Sequence, residues 1–235
     1  MKVIESTDFY LRVVKFDFRH PDPEVNLSFR IVPVFHIGSE KFYRNIFKYL
    51  KECDEVLYED LQFKRLILIT SHYQKVAKRL NLISQDVLNL RELDVKLTHA
   101  DLTKKEAKEA WRNTSIIEKI KFLIIEPLIF RIQTRNLTRR KLAKHFSTAN
   151  QELLLAYGPR FDKPRSSENF IWNEREKKVF EVIKHSFSIE KNIQKRIGII
   201  YGAGHMKRIA RFLIDKLDCV PTNAEFIEVY PLWEE

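Results

Sequence analysis

The chain has 235 residues, 44% hydrophobic and 31% charged, which is the balance of a globular domain and excludes wholesale disorder. Its length allows a large core without disulfide staples, and its two cysteines, Cys53 and Cys219, lie in apolar or helical stretches, so buried thiols are expected and a secreted framework is not. The net charge is +10, but Lys and Arg alternate with Glu and Asp and no zinc-finger, RNP-type or dense basic motif is present, so a solvated basic surface is expected and nucleic-acid binding is not. No run approaches the roughly 20 apolar residues of a bilayer span. MKVIESTDFY carries charge early and lacks the apolar core of a signal peptide, so one cytoplasmic domain over residues 1–235 is expected.

The segments FYLRVVKFDF and LSFRIVPVF are rich in β-branched and aromatic residues and read as strands. RHPDPEVN, with two prolines, Asp and Asn, is the turn between them. From Glu40 the period changes: Tyr43, Ile46, Phe47 and Leu50 fall at i, i+3, i+4 and i+7, one face of a helix. EVLYE, residues 55–59, is a short apolar strand ending in an acid. This strand–helix–strand order is a βαβ unit. A helix is expected over 71–81 with Val76, Ala77 and Leu80 inward, then a strand over 93–98. Asp101 or Thr103 caps a helix over KKEAKEAW.

Residues 115–133 are the most apolar stretch, a helix that Pro127 should kink or end, and another helix follows near 138–149. Residues 103–157 therefore read as a helical insert or cap. GPRFDKPRSSEN, residues 158–169, reads as a loop, either a lid or a plain connection. A helix over 173–186 precedes RIGIIYGAGH, a buried strand running into a glycine turn; the helix MKRIARFLIDKL and the strand FIEVY, residues 226–230, close the chain.

The chemistry-bearing residues sit at strand ends. Gly202-Ala203-Gly204-His205 joins a strand to a helix. In open α/β sheets ligands bind at that edge, and the helix N-terminus stabilises an anion, so Gly202 and Gly204 are candidate ligand-contact positions and His205 a candidate catalytic residue. The plainer reading of His205 is a turn or capping histidine. His36 ends RIVPVF and is followed by Gly38 and Ser39; Glu59 ends EVLYE. A carboxylate there is costly to bury without a partner. His36, Glu59 and His205 suit a divalent metal such as Mn, Co, Zn or Fe. They equally suit metal-free acid–base chemistry. Arg175, in IWNERE, offers a fixed positive charge to an oxyanion or to Glu59, or is a solvated arginine in a charged run.

His99 and Asp101 in THADLT are explained by a helix-capping Asp, and Tyr43 reads as core. His20, His72, His145 and His185 have no motif context. No G-x-S-x-G, P-loop or G-x-G-x-x-G is present, which argues against serine hydrolases, NTPases and dinucleotide enzymes.

VPVFHIGSEKFYRNIFKYLKECDEVLYED resembles the opening block of the TraB/Tiki-like superfamily, a group that also includes ChaN-like haem-binding proteins and erythromycin esterases. The resemblance lies in a histidine at a strand end, a helix, and a strand ending in Glu, here His36 and Glu59. IIYGAGHMKRIARFL resembles the closing block with its second histidine, His205; LNLISQ and THADLT resemble intermediate segments; NERE resembles the segment carrying the family arginine, here Arg175. The resemblance spans about residues 28–217 and is loosest over 103–172. One departure is Pro33, where the first motif usually has glycine; a proline in that strand predicts an edge position or a bulge.

The resemblance implies a mixed, mostly parallel α/β sheet flanked by helices, with a site at one sheet edge. It implies a hydrolase with His36, Glu59, Arg175 and His205 at its centre, expected to depend on a divalent metal held by His36, Glu59 and His205 as in the protease-like members, whereas the esterases have no obligatory metal. It implies a peptide or small-molecule substrate cleaved at a peptide, amide or ester bond. The alternative is a haem- or ligand-binding protein on the same scaffold.

Overall fold

In the computed structural model the described residues are 3–60, 67–125, 128, 132, 137–146 and 173–233. The expected loop at 158–169 lies outside them, as do Pro127 and the end of the proposed insert.

The strands are β1 (Ile4–Ser6), β2 (Tyr10–Arg19), β3 (Leu27–Val34), β4 (Ile37–Gly38), β5 (Glu55–Tyr58), β6 (Ile83–Ser84), β7 (Lys96–His99), β8 (Lys195–Gly202) and β9 (Val220–Pro231). The helices are α1 (Glu40–Lys51), α2 (Ile67–Arg79), α3 (Lys104–Asn113), α4 (Ile116–Ile120), α5 (Arg139–Phe146), α6 (Glu174–Glu190) and α7 (Met206–Leu217). A π turn, Lys121–Ile125, continues α4.

Seven strands form one mixed sheet. β3, β8, β5 and β7 are parallel neighbours in that order. β2 runs antiparallel beside β3; β1 and β9 also pair with β2. β4 and β6 form a separate two-stranded ribbon, with Ile37 opposite Ser84 and Gly38 opposite Ile83. Helices flank the sheet: α1 packs on β3 and β9, α7 on β3 and α6, and α5 on β1. The mixed α/β architecture expected from the sequence is the one observed.

The parallel strands β3, β8 and β5 are mostly buried and largely apolar, as a sheet covered by helices requires, whereas β7 at the edge is only partly covered. Ile197, Ile199, Leu57 and Val56 are fully buried, each such side chain contributing roughly 1.5–3 kcal/mol. α1 turns Phe42, Tyr43, Ile46 and Leu50 into this core and is capped by Ser39, whose Oγ accepts from the Phe42 N–H at 3.1 Å. Cys53 and Cys219 are buried free thiols, and burial pushes both up to about 11. Among the described residues no helix is long and apolar enough to cross a membrane.

The structure corrects three local readings. Pro33 lies in an interior strand, not at an edge: it stands opposite Tyr201 on β8. The β2–β3 ladder ends at the Phe16–Ile31 pair, so Pro33 falls beyond the antiparallel ladder, where a missing N–H leaves no β2 bond unmade. The last strand starts at Val220 and not at 226. Thr103, not Asp101, caps α3, through a capping box with Glu106.

Candidate functional site

The C-terminal ends of the parallel strands meet the helices that follow them, and the residues picked out by sequence gather at this edge. Glu59 directly follows β5, and its N–H donates to the Ile200 carbonyl at 3.2 Å, which ties it to β8. Its carboxylate is nearly enclosed. Arg175 Nη2 donates to Oε1, and the Gly202 N–H donates to Oε2 at 2.5 Å. A side chain at position 202 would put its Cβ 3.2 Å from that oxygen. The glycine is thus needed for close approach of a carboxylate to backbone; its φ of −52° demands no glycine. Gly204, in the 3-10 turn Ala203–His205, is exposed.

Arg175 enters from the first turn of α6 and is 7% exposed. Its Nε donates to Asp101 Oδ1 at 2.9 Å, and Nη2 donates to Asp101 Oδ2 at 2.6 Å while also serving Glu59. Its Nη1 makes none of these bonds. Asp101 is fully buried. Burial alone would lower the arginine's pKa, but Glu59 and Asp101 outweigh it and hold the guanidinium charged. Burial likewise pushes Glu59 up; Arg175, His205, the Gly202 N–H and His36 together overcome it, so the carboxylate stays below its ordinary value. The two acids and one arginine form a buried triad whose members are costly to remove singly.

His205 stands at the start of α7, where its side chain makes no capping bond, and is 4% exposed. Its Nδ1 faces Glu176 Oε1 at 3.0 Å, and the other oxygen of Glu176 meets Arg208 Nη1 at 2.5 Å. With a carboxylate as acceptor, Nδ1 carries the proton and Nε2 is the basic nitrogen. The imidazole stands edge-on to the Tyr201 ring at 5.1 Å, and Arg175 lies 5.6 Å over the same ring.

His36 follows β3 and leads into the β4–β6 ribbon. Its Nδ1 donates to Gln85 Oε1 at 2.9 Å, its carbonyl accepts from the Gln85 N–H at 3.0 Å, and its ring stacks on Tyr73 at 4.6 Å. One edge stays open to solvent. Crowding by protein depresses its pKa below 6.5, a pull that Glu59 and Gln85 oppose and Arg175 reinforces. A neutral imidazole with a free Nε2 at pH 7 follows.

A cavity of about 300 Å³ opens at the same edge, lined by Val34, Tyr58, Glu59, Gln85, Leu97 and Ile200 among others. It touches Glu59 and the glutamine that holds His36, though neither histidine ring.

The structure therefore joins Glu59, Arg175 and Gly202 by direct bonds. His205 adjoins them, its Cδ2 3.6 Å from where a Cβ on Gly202 would stand. His36 couples to Glu59 and Arg175 through their charges. Among the described residues no three His, Cys, Asp or Glu side chains are grouped so as to hold a metal ion. Glu59 has both oxygens committed, and the two histidines turn to separate partners.

Sequence reasoning missed Asp101, Glu176 and Gln85. Asp101 carried the same signal as Glu59, an acid just past a strand end, but a local cap explained it first. Glu176 stands beside Arg175 in NERE. Gln85 ends LNLISQ, one of the segments in the resemblance, which assigns it no role. Of the residues set aside, Tyr43 is buried and donates to the Phe35 carbonyl at 2.8 Å, His99 Nε2 meets the Asp60 carbonyl at 2.9 Å, and His20 accepts from the Asp22 N–H. The side chains of His72 and His145 lie outside the described residues.

Comparison with family models, with curated proteins and with solved structures finds no match for this chain.

Proposed function

We propose that this chain is a hydrolase of the TraB/Tiki-like kind that cleaves an ester, amide or peptide bond by acid–base chemistry. One observation carries the reading: two histidines, each with Nδ1 held by a side-chain oxygen, stand with a charge-clamped carboxylate at the C-terminal edge of parallel strands, beside a cavity. Neutral His36 accepts a proton from water, and the water oxygen attacks the substrate carbonyl carbon. Glu59, fixed by Arg175 and Gly202, orients that water and favours the imidazolium that forms on His36. The unengaged Nη1 of Arg175 faces developing negative charge on the carbonyl oxygen. The imidazolium formed on His36 then gives that proton to the departing oxygen or nitrogen as the carbon–heteroatom bond breaks, while His205, oriented by Glu176, holds the substrate at the same edge.

The test is turnover of p-nitrophenyl esters and fluorogenic peptides by wild type and by His36→Ala. Hydrolysis in wild type that falls on substitution, with the circular dichroism spectrum unchanged, supports the proposal; equal rates in both overturn it.

A metal-dependent form is the second reading. The His205–Glu176 pairing favours it, because metal-ligating histidines commonly donate their other N–H to a carboxylate. It requires Glu59 to release Arg175 or Gly202. Elemental mass spectrometry of wild type beside a His36→Ala, His205→Ala double variant decides: near-stoichiometric Mn, Co, Zn or Fe lost in the variant supports it, and no metal in either removes it. Haemin titration, read as a Soret band, tests the ligand-binding alternative.

A further inference from the structure

The helical block after β7 exposes its apolar residues. α4 buries none of its side chains. Ile117 is 79% and Ile116 74% exposed; Ile120, Leu123, Ile124, Ile125, Leu128 and Ile132 are exposed as well. Ile116, Ile117 and Ile120 fall at i, i+1 and i+4 of α4, within about 100° of its circumference. Isoleucine in the sheet behaves oppositely: Ile4, Ile31, Ile197 and Ile199 are 0% exposed. Exposed apolar side chains in this number mark an interaction surface.

The charge around it identifies the partner. Between Lys104 and Lys144 the sequence holds twelve Lys and Arg against four Glu, a net of +8 out of the chain's +10. Arg139 is taken up in binding the Leu80 and Asn81 carbonyls. Arg112, Arg140, Lys141 and Lys144 are exposed. Lys119 bridges to the Arg112 carbonyl at 3.3 Å and lies over Trp111, which fastens α4 to α3.

We propose that the described residues 104–120, 123–125 and 137–144 form a docking surface for anionic phospholipid bilayers, with α4 lying along the interface, its isoleucines among the acyl chains and the exposed basic side chains at the headgroups. Aliphatic side chains with basic neighbours are the composition of interfacial helices. No described helix is long and apolar enough to cross a membrane, so the helix lies in the surface plane. A second copy of the chain fits poorly, because two such surfaces would bring like charge together. Nucleic acid fits poorly too, because isoleucine offers bases no aromatic platform.

The experiment is cosedimentation of the full chain with vesicles of phosphatidylcholine alone and with vesicles that also contain phosphatidylglycerol, at low and high salt. The expected result is binding at least about tenfold stronger to the phosphatidylglycerol vesicles, weakened by salt. The triple variant Ile116→Glu, Ile117→Glu, Ile120→Glu changes only exposed positions; it should keep the wild-type circular dichroism spectrum and melting curve and lose vesicle binding. Equal partition onto both vesicle types overturns the proposal, as does a folded triple variant that binds like wild type. Failure to bind vesicles also overturns it, whether light scattering then shows a dimer that the triple variant breaks or the chain is retained only on nucleic acid.

Discussion

Strand β5 carries a buried acid at each end, and the two ends do different work. Glu55 opens the strand and is 1% exposed. Lys195 meets its Oε2 at 2.5 Å, Lys96 at 3.1 Å, and the Thr98 hydroxyl donates to Oε1. Burial pushes Glu55 up, and these donors pull it below its ordinary value. Glu59, just past the other end, is lowered through an arginine, a backbone N–H and two histidines. A depressed carboxylate in an ion-pair network is therefore no mark of a site by itself. The difference is topological. Glu55 lies at the N-terminal edge, held by Lys195, Lys96 and Thr98. Glu59 lies at the C-terminal edge, where strands hand over to helices, beside a cavity and near His36 and His205.

This contrast can be broken at several points. The largest effect should come from Arg175→Ala, which leaves Glu59 and Asp101 buried without a countercharge. We expect a loss on the order of 3–5 kcal/mol in urea unfolding, with activity abolished. Glu59→Gln retains volume and leaves Arg175 paired with Asp101, but its amide can accept at only one of the two oxygen positions; hydrolysis per folded molecule should fall by about 10²–10³-fold, with a stability loss of about 1–3 kcal/mol. His36→Ala, at an open position, should lower turnover by about 10²-fold, with stability unchanged within about 1 kcal/mol. Glu55→Gln should do the reverse, costing about 1–3 kcal/mol with turnover per folded molecule unchanged.

pH gives the finest distinction. His36 is depressed below 6.5 in the folded chain, so it adds stability that is present above pH 6.5 and lost as pH falls from there through its folded value. If it is the base, the rate should fall over the same window, and His36→Ala should remove that limb of the profile. Glu59 acts lower: its contribution is present above pH 4.5 and lost as pH falls through its depressed value.

Much of the site's edge was legible because short strands with alternating or continuous apolar runs end in residues that are expensive to bury. His36, Glu59 and His205 stood out for that reason. What stayed hidden depends on partners far away in sequence. Asp101 looked like a helix cap because Thr103 and Glu106 lie within local reach, whereas its actual partner, Arg175, is 74 positions on. The first half of β9, VPTNAE, has the composition of a turn and is a strand only because β2 pairs with it along its length. Pro33 pointed to an edge strand, since sequence shows the missing donor but not that the neighbouring ladder stops at Ile31. The role of Gly202 was visible as a turn but not as room for a carboxylate.

The most direct measurement compares hydrolysis of the ester and peptide panel by Glu59→Gln and Glu55→Gln, each rate normalised to folded protein by circular dichroism. The account predicts wild-type turnover in Glu55→Gln and a loss of about 10² or more in Glu59→Gln. Equal rates in the two variants, or no turnover of any ester or peptide by wild type, would contradict it.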